Sequence, residues 1–373
     1  MVISIPVSIV AGIGRAAKDG ILIKGGEFLE TSARITAVAV DKTGTLTTGR
    51  PHLTDVVVLD PSMDRAQVLN WAARAEAGSE HPLARPILAA AAAENLTITG
   101  LPEHTEPVPG KGIAATTDGR RVLIGNLALL EQYGVADTVG AVQAAEELAS
   151  AGRTPMIVAV DDTVAGVVAV ADEVREDAAQ MVADLHRAGV RKAIMLTGDA
   201  PLVAKAIGQA TGVDEIRPGL LPEDKFVVVQ DLQRQGYTAA IVGDGVNDAP
   251  ALATANIGVA MGAARSAVAV ETADIALMGD NLLKLPEAIS LARRTVANMR
   301  QNIAIALTTV SLLMLGVLLG GVTMAVGMLV HEVSVLVVIR NAMRPLRRKR
   351  DHNTSTAPTQ APTGVRPLFL LPG

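Results

Sequence analysis

Asp41 ends an apolar run, Ile35 to Val40, and is followed at once by Lys42, Thr43 and Gly44. A buried strand that stops at a carboxylate beside a glycine turn can present that carboxylate to a phosphoryl group. Three more motifs sit at or near the ends of apolar runs. Thr197-Gly198-Asp199 follows Lys192–Leu196, Gly243-Asp244-Gly245-Val246-Asn247-Asp248 follows Ala239–Val242, and Lys225 opens a helical stretch just before that last run. In a parallel α/β sheet, functional groups gather beyond the carboxyl ends of the strands. Convergence of the four would join a nucleophilic carboxylate, a hydroxyl and amide donor, a cation and further carboxylates. Phosphoryl transfer needs this set: an in-line nucleophile, carboxylates for Mg²⁺ and fixed positive charge for the equatorial oxygens.

The elements that would position them alternate. Ile35–Val40, Met156–Val160, Val164–Ala171, Lys192–Leu196 and Ala239–Val242 read as strands, and Arg175–Ala188, Ala200–Ala210 and Phe226–Gln235 as helices. That alternation predicts βαβ units around a mainly parallel sheet. Residues 51–155 interrupt it with helical Gln67–Ala77 and Leu83–Ala93 and short strands at Gly112–Thr117 and Arg121–Ile124, a pattern that predicts an inserted α+β domain. Residues 12–34 read as one amphipathic helix.

The chain has 373 residues and a net charge of −5 from 33 basic and 38 acidic residues. With aromatics at 2% and no basic run beside stacking side chains, nucleic acid is not an expected partner. Cysteine is absent, which excludes disulfides and thiolate metal sites within the chain. Mean hydropathy is +0.35, and the excess is concentrated. From Ile303 to Ile339 the only ionisable residues are His331 and Glu332. A single membrane helix needs about 20 apolar residues, so the stretch predicts two spans joined near Gly320-Gly321. Arg293, Arg294 and Arg300 before the pair, and Arg340, Arg344, Arg347, Arg348, Lys349 and Arg350 after it, place both ends on the cytoplasmic side. Met1 to Ala11 is apolar but too short to span, and lacks a charged start and a cleavage site. Residues 346–373 form a basic tail rich in Pro, Thr and Ser, with the composition of a disordered segment.

Asp41-Lys42-Thr43-Gly44-Thr45-Leu46-Thr47-Thr48-Gly49 resembles the phosphorylation signature of P-type ATPases, and the later motifs follow in that family's order. The resemblance implies a haloacid-dehalogenase-like parallel-sheet phosphorylation domain (35–50 and 156–285), an inserted nucleotide-binding domain (51–155), and a C-terminal transmembrane hairpin (286–345) after a connector (1–34). It implies that Asp41 accepts phosphate from ATP. Thr43 stands where related phosphatases carry a second aspartate as general acid–base, so an aspartyl-phosphate would persist. Thr197 and Lys225 would hold phosphoryl oxygens. Asp244, with Asp248 close behind and with Asp41 and Thr43, would bind Mg²⁺. Asp199 would lie on the nucleotide side.

In the insert, Glu76, Ser79-Glu80-His81-Pro82 and Gly110-Lys111-Gly112 resemble the nucleotide domain of the heavy-metal-transporting subgroup. On that resemblance Glu76, His81, Gly110 and Gly112 bind ATP, with Asn126 a further candidate. His331-Glu332-Val333-Ser334 resembles the cobalt/zinc-type pumps, with Val333 in place of their glycine and Val335 in place of a threonine. His331, Glu332 and Ser334 are then candidate ligands for a cation of the Co, Zn, Ni or Fe class, since nitrogen and oxygen donors suit these better than Cu⁺.

The resemblance runs from Met1 to about Leu346, the back half of such a pump, whose further membrane helices and actuator domain lie upstream. The expectation is a multi-pass membrane protein with cytoplasmic catalytic domains. Such a chain would be phosphorylated by ATP but would not transport alone, with a separate chain as one possible source of the other helices. A membrane-tethered phosphatase of the same fold and a non-transporting nucleotide-binding fragment are the alternatives.

Overall fold

The computed structural model describes residues 4–79, 81–98, 100–243, 248–262 and 267–344. Seven strands form the sheet that carries Asp41, in the order Ile21–Ile23, Ile275–Leu277, Ile257–Ala260, Ala239–Gly243, Ala37–Asp41, Lys192–Leu196, Glu215–Arg217. All neighbours are parallel except Ile21–Ile23, which pairs antiparallel with Ile275–Leu277. The central strand is apolar on both faces because both faces are covered, as a parallel sheet requires. Val38 and Val40 point into a core shared with Met181, Leu185, Ala204, Leu285 and Ile289. Ala39 points the other way, into a core with Ile194, Leu196, Val229, Leu232 and Leu252. The two-residue period of the strand divides them.

A second sheet has six strands, all antiparallel, in the order His52–Val58, Thr163–Ala171, Thr154–Val160, Arg120–Gly125, Gly112–Thr117, His104–Val108. Helices Arg65–Glu76 and Ala84–Ala93 pack on one face, and Leu127–Gln132 and Val139–Ser150 on the other. This corrects the expected boundary at 155. Thr154–Val160 and Thr163–Ala171 belong to the inserted sheet, where Thr163–Ala171 pairs with His52–Val58. A fully buried apolar strand looks the same in either sheet, and only its partners decide.

Residues 12–34 are not one helix. Helix Ser4–Lys18 ends at a turn, Ile21–Ile23 joins the sheet edge and Gly26–Ser32 forms a second short helix. Ile21 and Ile23 are buried while Leu22 faces solvent, so the three-residue strand satisfies an alternating pattern that resembled one helical face.

Helices Lys284–Leu318 (35 residues) and Met324–Ala342 (19 residues) are long and apolar enough to cross a membrane, and their most apolar windows are only 6% buried. At 1.5 Å per residue the first is about 50 Å long. Its lower part buries Leu285, Ala288, Ile289 and Ala292 in the core of the parallel sheet. Higher up, Asn298 and Asn302 join Ser8 and Asn341 in a hydrogen-bonded cluster linking three helices. The tail beyond 344 lies outside the described residues.

Candidate active site

Strand register assembles the site. Asp41 is the last residue of its strand and faces Leu196 on one neighbour, while Val40 faces Val242 on the other. Thr197 and Gly243 therefore flank Asp41 at one carboxyl edge. Behind them, helix Asp224–Arg234 aims Lys225 at the same edge. Lys225 Nζ lies 2.7 Å from Asp41 Oδ1 and 2.7 Å from Asp248 Oδ1. The three are buried, at 8%, 6% and 1% relative exposure for Lys225, Asp41 and Asp248.

Burial pulls the Lys225 ammonium down, but the carboxylates of Asp41 and Asp248 outweigh it and hold the pKa above the ordinary lysine value. One ammonium between two carboxylates leaves the trio one negative charge in excess. Asp248 Oδ2 is buried and has no hydrogen-bond partner. An added Cβ on Gly243 would lie 2.1 Å from that oxygen, so the glycine makes room for the carboxylate. A buried carboxylate oxygen without a partner, in a site with net negative charge, fits a hard divalent cation such as Mg²⁺. Among the described residues no group of three His, Asp or Glu side chains is placed to hold a metal. Asp244, the residue expected to bind Mg²⁺, lies outside the described residues.

Thr197 is buried beside this edge, and its Oγ1 accepts from the Asp199 N–H at 3.1 Å. Asp199 in turn pairs with Lys42, Oδ2 to Nζ 2.7 Å, which joins the first two motifs directly. Thr43 is exposed in the loop just beyond Asp41.

That loop is held by residues the motif reading missed. Asp172 follows strand Thr163–Ala171 and accepts from Thr47 Oγ1 (2.5 Å), Thr48 Oγ1 (3.1 Å), Gly49 N (3.2 Å) and Arg50 N (3.0 Å). Arg175 donates to Thr47 O at 3.0 Å and pairs with Asp280 at 2.5 Å. Asp172 and Arg175 stand in the charged run that ends an apolar strand, the same signal that singled out Asp41.

In the insert, the Asn126 side chain donates to Gly110 O at 3.0 Å and accepts from the Leu129 N–H at 3.2 Å, capping helix Leu127–Gln132. Gly112 pairs with Gly125 across the hairpin. Gly110, Gly112 and Asn126 therefore form one cluster. Glu76 ends helix Arg65–Glu76, is 3% exposed, and has one carboxylate oxygen without a partner. Burial pushes its carboxyl above the usual range, against a hydrogen bond from Ser79. His81 is exposed, with Nδ1 accepting from the Leu83 N–H at 3.3 Å. Glu80 lies outside the described residues. In the hairpin, His331 and Glu332 are exposed, and Ser334 Oγ donates to the His331 carbonyl at 2.7 Å. These three are not gathered into a site by the described residues.

A family profile described as haloacid dehalogenase-like hydrolase matches residues 35–256, more than half the chain. The chain belongs to the haloacid dehalogenase-like hydrolases. Within them it groups with heavy-metal-transporting P-type ATPases. A probable cadmium-transporting ATPase of Staphylococcus aureus is 41% identical over 351 residues, 94% of this chain and 48% of that protein. A zinc-exporting P-type ATPase of Mycobacterium marinum is 41% identical over 345 residues, 92% of this chain and 47% of that one. A crystal structure of a zinc-transporting PIB-type ATPase in the E2.Pi state superposes with a TM-score of 0.73 at 41% identity, over 93% of this chain and 55% of that one. The chain spans about half the length of the curated relatives it matches.

Proposed function

We propose that this haloacid dehalogenase-like chain carries the phosphorylation and nucleotide-binding machinery of an ATP-driven pump for a divalent transition-metal cation, seated in a membrane by its two apolar helices. The observation that carries the reading is the Lys225 ammonium bridging Asp41 and Asp248 at the carboxyl edge of the parallel sheet, 2.7 Å from each. It is supported by relatives described as cadmium-transporting and zinc-exporting.

In this reading Asp41 is the nucleophile. A carboxylate oxygen of Asp41 bonds to the γ-phosphorus of ATP, the bond from that phosphorus to the β–γ bridging oxygen breaks, and its electron pair leaves with ADP. Lys225 and Thr197 meet the phosphoryl oxygens, supplying fixed positive charge and a hydroxyl where charge spreads. Asp248, Asp41 and, outside the described residues, Asp244 would hold Mg²⁺, with Thr43 beside them. When bound, the ion neutralises phosphate charge. Asp199, locked to Lys42, borders the nucleotide side. In the insert, the Gly110–Gly112 turn with Asn126 lets the nucleotide approach the backbone, and Glu76 and His81 contact its base or phosphates. Thr43 cannot serve as a general base as aspartate does, so the aspartyl-phosphate persists. His331, Glu332 and Ser334 remain candidate cation ligands in the last helix, where an ionisable pair is expensive unless it functions.

The test is labelling with γ-labelled ATP and Mg²⁺. The label survives acid, leaves with hydroxylamine, and is absent in Asp41→Asn. Label retained in Asp41→Asn overturns the reading.

A further inference from the structure

We propose that Arg293 is a positioning residue that ties the first apolar helix to the strand carrying Asp41, so that ligand binding at the carboxyl edge of the sheet is felt along Lys284–Leu318. This rests on the reading of Asp41 as the phosphoryl acceptor.

Arg293 lies one residue past Ala292, whose side chain is buried in the core of the parallel sheet. Its NH2 nitrogen donates to the Ile35 carbonyl at 2.6 Å and the Gly189 carbonyl at 3.2 Å. Ile35 leads into Ala37–Asp41, and Asp41 is its far end, about 20 Å away at 3.3 Å per residue. The opposite edge of the sheet is itself one hydrogen-bonded unit: the Thr36 carbonyl accepts from Arg191 N at 2.8 Å, and Thr36 N donates to Thr238 O at 2.9 Å. Arg293 therefore holds the base of the central strand, its parallel neighbour's approach, and the end of helix Ala178–Arg187 at once.

Two features set this contact apart from an ordinary surface arginine. Gly189 has φ +90°, a conformation that favours glycine, and the guanidinium of Arg293 lies directly over its Cα where a side chain would otherwise begin. Arg293 Nε is buried without a hydrogen-bond partner, and the guanidinium's hydrogen bonds go to main-chain carbonyls, those of Ile35 and Gly189. About one and a half turns further along Asn298 donates to the Asn341 carbonyl at 3.0 Å, and about one turn beyond it Asn302 reaches Ser8 at 3.3 Å. The helix is pinned to the sheet below and to the other two helices above. A shift of the Asp41 strand thus has a polar route to the apolar helices besides the apolar contacts of Leu285, Ala288 and Ile289.

The experiment is hydrogen exchange on the full chain in lipid nanodiscs, with and without beryllium fluoride and Mg²⁺ as an aspartyl-phosphate mimic. In the unaltered chain, amides beside Asp41 and amides of the helix around Arg293 to Asn302 both slow on binding. In Arg293→Met the slowing beside Asp41 remains and that in the helix falls severalfold, and Arg293→Lys restores part of it. Equal slowing of the helix in Arg293→Met overturns the link, as does no slowing there in the unaltered chain. No slowing beside Asp41 overturns the functional reading and the link with it. Should Arg293→Met fail to fold, Arg293→Gln, a polar side chain too short to reach both carbonyls, is read in the same way, and retention of the full helix response in that variant overturns the proposal equally.

Discussion

Lys225 Nζ stands 2.7 Å from Asp41 Oδ1, across 184 residues of chain. The lysine's other carboxylate partner, Asp248, is at the same distance, so one cation is shared by the two acids that border the site. Removing it leaves both carboxylates buried with no positive charge between them. Lys225→Met should lower stability by about 3 kcal/mol, the scale for breaking a buried ion pair from one side, and abolish phosphorylation of Asp41. Urea unfolding and ATP labelling check the two effects. Neutralising one acid as well, in Lys225→Met/Asp248→Asn, should recover much of the stability and none of the labelling.

The same trio fixes a pH response. The folded pKa of Lys225 is raised above its unfolded value, so its stabilising contribution is complete below the unfolded value of about 10.5 and is lost as pH rises through the higher folded value. Unfolding midpoints of the unaltered chain should fall in that alkaline range more steeply than those of Lys225→Met. Parallel curves would contradict the buried bridge.

Glu76 predicts the opposite sense. Its folded pKa is raised by burial, so ionisation opposes folding, and the penalty appears as pH rises from the unfolded value of about 4.3 through the folded one. Glu76→Gln should melt higher than the unaltered chain at neutral pH, and the gap should close in acid. If Glu76 binds ATP as proposed, through the carboxylate oxygen that has no protein partner, the substitution should also weaken ATP binding, measured by calorimetry. Higher stability with unchanged affinity would remove Glu76 from the site.

Asp172 gathers four donors from Thr47 to Arg50, holding the loop that leaves Asp41. Asp172→Ala should slow phosphorylation by about a hundredfold, as loss of alignment does, and leave the affinity for ATP unchanged. A matching loss of affinity would place Asp172 in the nucleotide site itself.

The two glycines of the insert turn should differ. Gly112 has φ +139°, and a Cβ there would lie 2.2 Å from the Ile124 carbonyl, whereas Gly110 has φ +72° with no atom within 4 Å. Gly110→Ala costs about 1 kcal/mol of backbone strain, while Gly112→Ala must part the hairpin and should abolish ATP binding. Thermal melts and nucleotide titration of the two variants compare them directly.

What the sequence made legible follows from locality. Asp41 and Thr197 were readable because each lies beside the end of an apolar run, and a parallel sheet brings such ends together. Lys225 was readable from motif order, but its bridge to Asp248 depends on how helix Asp224–Arg234 docks, which no local pattern records. Asp172 carries the same strand-end signal as Asp41, but its role as the loop's anchor is not legible, because two of its four donors are backbone N–H groups, which side-chain types do not reveal. The boundary of the insert was misplaced for a related reason. Thr154–Val160 and Thr163–Ala171 are mostly buried and apolar, and hydrophobicity cannot distinguish an antiparallel partner at His52–Val58 from a parallel one beside Asp41. The three-residue strand Ile21–Ile23 is too short for its period to separate from a helical one.

The central claim is that Asp41 itself carries the phosphoryl group. Borohydride reduces an aspartyl-phosphate to homoserine and leaves a free aspartate untouched. The full chain should be incubated with ATP and Mg²⁺, reduced, digested and mapped by mass spectrometry. The account predicts homoserine at position 41, dependent on ATP and absent with ADP. An unmodified Asp41 alongside homoserine at another aspartate, or no homoserine anywhere, would contradict it.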